Sequence, residues 1–154
     1  MKKFLMLLGA TVFFIISCSA PKEARQKRNL ISGTWSLDNI SYEGTEGLFK
    51  SVLFNDAQAI CFEGSDWFFR DNNSTGRYTL TAGSLCSGGD RFIRWSVVNN
   101  QLQFKFIDEK RKDISGGLGY RLNIADLTAQ NMVLKSTVSD NGSPVTVVYN
   151  FSKK

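Results

Sequence analysis

The chain reads as all-β: eight antiparallel strands in up-and-down order, curled into a closed barrel behind a leader peptide and a short disordered tether. Three observations predict it. Short runs alternating apolar and polar residues recur from Thr34 to Phe151, separated by Asn, Asp and Gly, and a period of two marks a strand with one buried face. No stretch carries helical periodicity of useful length. Eight consecutively joined strands also leave two bare edges unless the first pairs with the last, which closure achieves.

Met1-Lys2-Lys3 is a cationic start and Phe4 to Ile16 an apolar run, suited to a secretory leader and too short for a comfortable membrane span. The run ends in Ile15-Ile16-Ser17-Cys18, which resembles the lipobox of bacterial lipoproteins, with Ile15 where Leu is commoner. The resemblance implies cleavage before Cys18, acylation of its thiol and new amino group, and a membrane anchor, since each buried methylene contributes about 0.8 kcal/mol. An ordinary leader with a Cys near its end is the alternative. Ser19 is not the Asp that signals inner-membrane retention in some Gram-negative bacteria, so the outer membrane, periplasmic side, is the expected address. Residues 1–17 are thus expected as leader, 18–29 as lipidated Cys and tether, and 30–154 as one domain.

Ser19 to Asn29 holds Pro21, five charges and no aromatic residue, a composition that cannot bury enough surface to fold alone. Its net +3 suits either anionic lipid headgroups or simple solubility. Of 19 Lys and Arg, two lie in the leader and four in the tether, leaving 13; of 14 Asp and Glu one lies in the tether, also leaving 13. The domain is therefore neutral, and the basic balance of the whole chain is no argument for nucleic-acid binding.

Within the domain, Gly33 opens the first strand and lets the backbone turn tightly beside Trp35. Trp35 and Leu37 share one face; Thr34, Ser36 and Asp38 share the other. Trp67 to Arg70 and Arg77 to Thr81 are joined through Asp71 to Gly76. Arg91 to Val98 meets Gln101 to Ile107 across Asn99-Asn100, two residues that tolerate the positive φ of a tight hairpin. Tyr120 to Asp126, Met132 to Val138 and Val145 to Phe151 complete the set. Glu46 to Asp56 is the one place for a short helix or lid, because Leu48, Phe49, Val52 and Leu53 could share a helical face.

Gly33-Thr34-Trp35 opening the first of eight strands in a secreted chain resembles the lipocalins. The wider set of lipobox, tether, Cys61, Trp67-Phe68-Phe69, Gly76-x-Tyr78, Cys86 and Trp95 is similar to the lipocalin-like lipoproteins of Gram-negative bacteria. Two departures stand out: there is no Thr-Asp-Tyr between later strands, and no helix follows Phe151-Ser152-Lys153-Lys154. The second implies a trimmed barrel with a smaller interior. The resemblance implies binding of a small hydrophobic or amphipathic molecule.

With Cys18 assigned to lipid, Cys61 and Cys86 remain as a pair in an oxidising compartment. They flank two strands that fold back on each other, so they are expected either to bridge or to stay as buried thiols. The chain has no His, which removes the usual general base and the Ser-His and Cys-His arrangements, and leaves too few ligands for a metal site. Glu63 with Asp66 and Glu43 with Glu46 read as solvated charge. Asp71-x-Asn73-x-Thr75-Gly76 begins like a calcium loop, but its twelfth position is Ala82, not a bidentate Glu. Gly116 to Gly119 lacks the strand-to-helix setting of a phosphate loop. No catalytic residue, metal or cofactor is expected.

The remaining signal is aromatic. Trp35, Tyr78, Trp95, Phe104, Phe106, Tyr120, Met132 and Tyr149 fall at alternating positions of the expected strands and are the candidate ligand-binding wall. Aromatic walls with a few polar tips suit an apolar molecule. The same residues would equally pack a filled core, since an eight-stranded barrel is near the size where either holds. The expected function is a non-enzymatic, lipid-anchored ligand carrier of the cell envelope. The alternative is an envelope protein-interaction module that uses its loops, as small-barrel lysozyme-inhibitor lipoproteins do.

Overall fold

The computed structural model describes residues 22–44, 51–140 and 142–154. Along them run helix α1 (Lys22–Ile31), strand β1 (Gly33–Glu43), a small hairpin of β2 (Val52–Leu53) and β3 (Ala57–Gln58), and a 3-10 turn (Ala59–Cys61). Then follow β4 (Asp66–Phe69), β5 (Thr75–Leu80), β6 (Gly89–Val98), β7 (Gln101–Phe106), β8 (Tyr120–Leu127), β9 (Asn131–Asp140) and β10 (Ser143–Lys153). The leader, Cys18 and residues 46–50 of the expected lid lie outside the described residues.

Eight strands close a barrel in the order β1-β10-β9-β8-β7-β6-β5-β4. The seam is the predicted one: Leu37 pairs with Phe151 across β1 and β10, and Trp35 pairs with Trp67 across β1 and β4. Asn99 and Asn100 both take positive φ, 48° and 60°, and join β6 to β7 in the two-residue turn that their side chains tolerate. Bulges between Leu37 and Asn39 and between Ile124 and Asp126 shift the register once in β1 and once in β8. Gly76 is required by close approach, because a Cβ there would stand 2.5 Å from the Phe68 carbonyl oxygen.

The tether was expected to be disordered to residue 29; instead residues 22–31 form α1. Glu23 sits in its first turn and Arg28 in its last, each favourable to the helix dipole, and Glu23 pairs with Lys27 one turn on. Ten residues are too few for a stable isolated helix, so docking decides. The Arg28 guanidinium donates to the Asp71 carboxylate at 2.7 Å, to the Asp71 carbonyl and to Ser74 Oγ, and lies 4.5 Å from the centre of the Trp95 ring. Lys153 Nζ donates to the Leu30 and Ser32 carbonyls at 2.6 and 2.7 Å, and Trp35 Nε1 to the Ile31 carbonyl at 2.7 Å. The carbonyls of Leu30 and Ile31, the last two of the helix, are thereby satisfied. Composition of the segment alone misses this, because the partners of its cations lie on the barrel.

The up-and-down order sorts the connections into two ends. The β4–β5, β6–β7 and β8–β9 turns lie where β1 begins, and α1 packs against that end. The β1–β4 connection, which carries the β2–β3 hairpin, lies at the opposite end with the β5–β6, β7–β8 and β9–β10 connections.

Candidate functional site

All eight residues of the predicted wall face the barrel interior. Trp35, Tyr78, Trp95, Phe104, Met132 and Tyr149 are buried, and Phe106 and Tyr120 partly so. They are not all engaged alike. Trp35 and Trp95 are engaged by α1, whereas Tyr78, Phe104, Phe106 and Tyr120 form an aromatic cluster with Trp67. Tyr78 stacks on Trp67 at 4.4 Å, and Phe104, Phe106 and Tyr120 meet one another at 5.2 to 6.1 Å.

The middle of this cluster is occupied by a ring from outside the barrel wall. Phe54, at the tip of the β2–β3 hairpin, lies 5.0 Å from Phe104, 5.3 Å from Tyr120, 5.5 Å from Phe62, 5.8 Å from Tyr149 and 6.2 Å from Trp67, centre to centre. Leu53 is buried beside it, while Val52 faces out. The described part of the stretch that the sequence offered as a helix or lid, residues 51–56, belongs to a hairpin that covers this end of the barrel. Residues 51–56 hold no helix, because Asp56 N bonds to the Leu53 carbonyl and reverses the chain.

That reversal puts Phe54 at φ 54° and Asn55 at φ 50°. Asn accepts the left-handed region, but a bulky aromatic residue rarely does, at a cost of order 1–3 kcal/mol. Burial of the Phe54 ring offsets it.

Polar contacts fasten the lid. Tyr78 and Arg91 are directly paired across β5 and β6, so their side chains share the inner face. The Asp56 carboxylate accepts from Tyr78 Oη at 2.7 Å and from Arg91 Nε at 3.1 and 3.3 Å. The rest of the Arg91 guanidinium is spent on the Ser87, Gly88 and Gly89 carbonyls. Tyr120 Oη donates to the Phe54 carbonyl at 2.6 Å. Burial, and then the Asp56 carboxylate, hold the Tyr78 phenol protonated far above the usual tyrosine range; burial also raises Tyr149 to about 12. At the far foot of the lid, Cys61 and Cys86 form the expected bridge and tie it to the β5–β6 connection.

Other sequence features resolve into structure. Glu63 accepts from the Ile40 amide, Asp66 pairs with Lys154 and Glu43 with Lys135. Asn73 Oδ1 accepts from the Thr75 amide and hydroxyl, an Asx turn where a calcium loop had been considered. Among the described residues no group of three or more His, Cys, Asp or Glu is placed to hold a metal. A groove of about 800 Å³ lined by Asp66, Phe68, Arg70, Arg77 and Phe92 lies on the outer face of the wall, on the side opposite Trp67 and Tyr78.

Sequence reasoning missed Phe54, Asp56 and Arg91. The available signal was Leu53-Phe54-Asn55-Asp56, a buried pair running into turn residues, inside the segment already marked as a lid.

With barrel, seam and lid in place, the decisive comparison is one of sequence: the profile of the lipocalin-like domain matches residues 31–134. The chain belongs to the lipocalin-like domain family. No curated protein sequence matches this lipocalin-like chain. Among solved structures it is similar to a lipocalin-like protein from Bacteroides uniformis, at 14% identity and a TM-score of 0.48, over 81% of this chain and 99% of that one. It is also similar to a protein from Bacteroides eggerthii, at 12% identity and 0.48, over 80% and 98%. A bovine odorant-binding protein variant gives 13% identity and 0.45, over 81% and 74%. The family assignment of the lipocalin-like chain rests on the domain match.

Proposed function

We propose that this protein is a lipid-anchored carrier in the cell envelope, without catalysis, that holds one small hydrophobic or amphipathic molecule inside the lidded end of its barrel. Membership of the lipocalin-like family supports it, as does the aromatic inner face. The observation that carries it is Phe54: the centre of the aromatic cluster is filled by a ring on a hairpin tip that barrel closure does not need. Such a ring can leave without unpairing any strand of the barrel.

Acylation at Cys18 would anchor the chain four residues ahead of α1, at the end away from the lid, so that the mouth faces out from the outer membrane into the periplasm. The test is native mass spectrometry after incubation with a lipid extract of the envelope. The wild type should retain one molecule, and Phe54→Ala should retain more of it. Absence of any bound molecule from both proteins would count decisively against a carrier.

A second reading, a protein-interaction module, is favoured by one observation. Among the described residues, five of the six exposed large hydrophobics, Val52, Ile60, Leu85, Ile114 and Leu118, lie on the lid or on connections that leave the lid end. Under that reading, crosslinking in the envelope captures a partner. Capture is lost on changing Val52, Ile60 and Leu85 to Ser and is indifferent to Phe54→Ala.

A further inference from the structure

The lid carries an anion as well as a ring, and the two enter the barrel together. Asp56 lies two residues beyond Phe54, and its carboxylate takes the Tyr78 hydroxyl and the Arg91 Nε–H, both inner-face donors of one cross-strand pair. Side chains of Asp56 and Arg91 are each less than one-fifth exposed. The lid thus presents to the barrel an apolar body followed by a carboxylate, which is the layout of an amphipathic acid. A ligand that displaces Phe54 also lifts Asp56 away, and it takes from the Arg91 Nε–H and the Tyr78 hydroxyl the carboxylate they share, while the other Arg91 N–H groups keep their carbonyl acceptors. Leaving a largely buried guanidinium without its counter-charge and a buried phenol hydroxyl without an acceptor is costly, so a ligand that brings its own carboxylate is favoured over an uncharged one of equal length.

We infer that the ligand class is a monocarboxylate with an apolar chain, such as a fatty acid, whose carboxylate replaces that of Asp56 on Tyr78 and Arg91 while its chain replaces the Phe54 ring. The inference rests on the carrier reading and narrows it. In the closed protein, Asp56 and Phe54 are an internal competitor for this site. The left-handed φ of Phe54 raises the free energy of the closed lid and so eases its displacement.

The experiment is calorimetric titration of the purified full-length protein with dodecanoate and, separately, with dodecan-1-ol. The wild type is expected to bind the acid at least tenfold more tightly than the alcohol. Arg91→Met and Tyr78→Phe should bring the two together, and Arg91→Lys should restore part of the difference. Asp56→Asn should tighten the acid at least tenfold, whereas Phe54→Ala should tighten both probes alike. Far-UV circular dichroism and an intact Cys61–Cys86 bridge establish that each variant is folded; Tyr78→Phe, which keeps the ring, serves where Arg91→Met does not fold. Equal affinity for acid and alcohol in the wild type, or a preference unchanged in Tyr78→Phe, overturns the carboxylate assignment and leaves the carrier reading standing. Binding of neither probe by wild type, Asp56→Asn or Phe54→Ala overturns both.

Discussion

Tyr149 shows how a single buried group couples the fold to pH. An unperturbed tyrosine ionises near 10, but burial holds Tyr149 protonated up to about 12, and Tyr78 is held protonated higher still by burial and Asp56. Above pH 10 the unfolded chain therefore sheds protons that the fold retains. Stability is fully present below pH 10 and declines as pH rises towards 12, by up to about 1.4 kcal/mol per pH unit for each such tyrosine. Urea unfolding from pH 9 to 11.5 should show that decline, and absorbance at 295 nm should show Tyr78 and Tyr149 still protonated at pH 11. Gly76 gives a second residue-scale prediction. A methyl group there meets backbone rather than a flexible side chain, so Gly76→Ala should cost about 1–3 kcal/mol in the same assay.

At the scale of elements, α1 and the lid are the two additions that cover the ends of the barrel, and each depends on contacts remote in sequence. Arg28 docks α1 through the Asp71 carboxylate and the Trp95 face. Its side chain is about a fifth exposed, so solvent screening reduces the contribution, and Arg28→Ala should cost roughly 1–2 kcal/mol. Amide hydrogen exchange should rise in α1 while the β-strand amides stay protected. Removal of the Cys61–Cys86 bridge frees the foot of the lid. A double Ser variant should lose about 3 kcal/mol in the chain-entropy account, with faster exchange confined first to residues 51–62. The same remoteness decides what was legible in the sequence. The strands were, because alternation and the Asn99-Asn100 turn are local signals that the closed sheet reinforces. The cysteine pair was as well, because it flanks two strands that must fold back on each other. Helix α1 was not, since its cations find Asp71, Ser74 and Asn100 only once the barrel exists. The lid was legible as a segment but not as a hairpin: strands of two residues carry no period, and a left-handed Phe54 follows no propensity.

Over the whole molecule, a sheet closed on itself, a helix at one end and a ring-tipped hairpin at the other combine into a barrel whose interior is filled, beneath the hairpin, by a ring of its own chain. The eight residues read as a ligand wall are inner-face residues; Trp35 and Trp95 are engaged by α1, and Phe104, Tyr120 and Tyr149 surround Phe54. The division follows from the two ends being closed differently, by a docked helix on one side and by a strained hairpin on the other. The most direct test of this account is a crystal structure grown with dodecanoate. The account predicts Phe54 withdrawn, the alkyl chain against Trp67, Phe104 and Tyr149, and a carboxylate on Tyr78 and Arg91. Phe54 still seated among those rings, with the acid lodged in a groove on the outer wall, would contradict it.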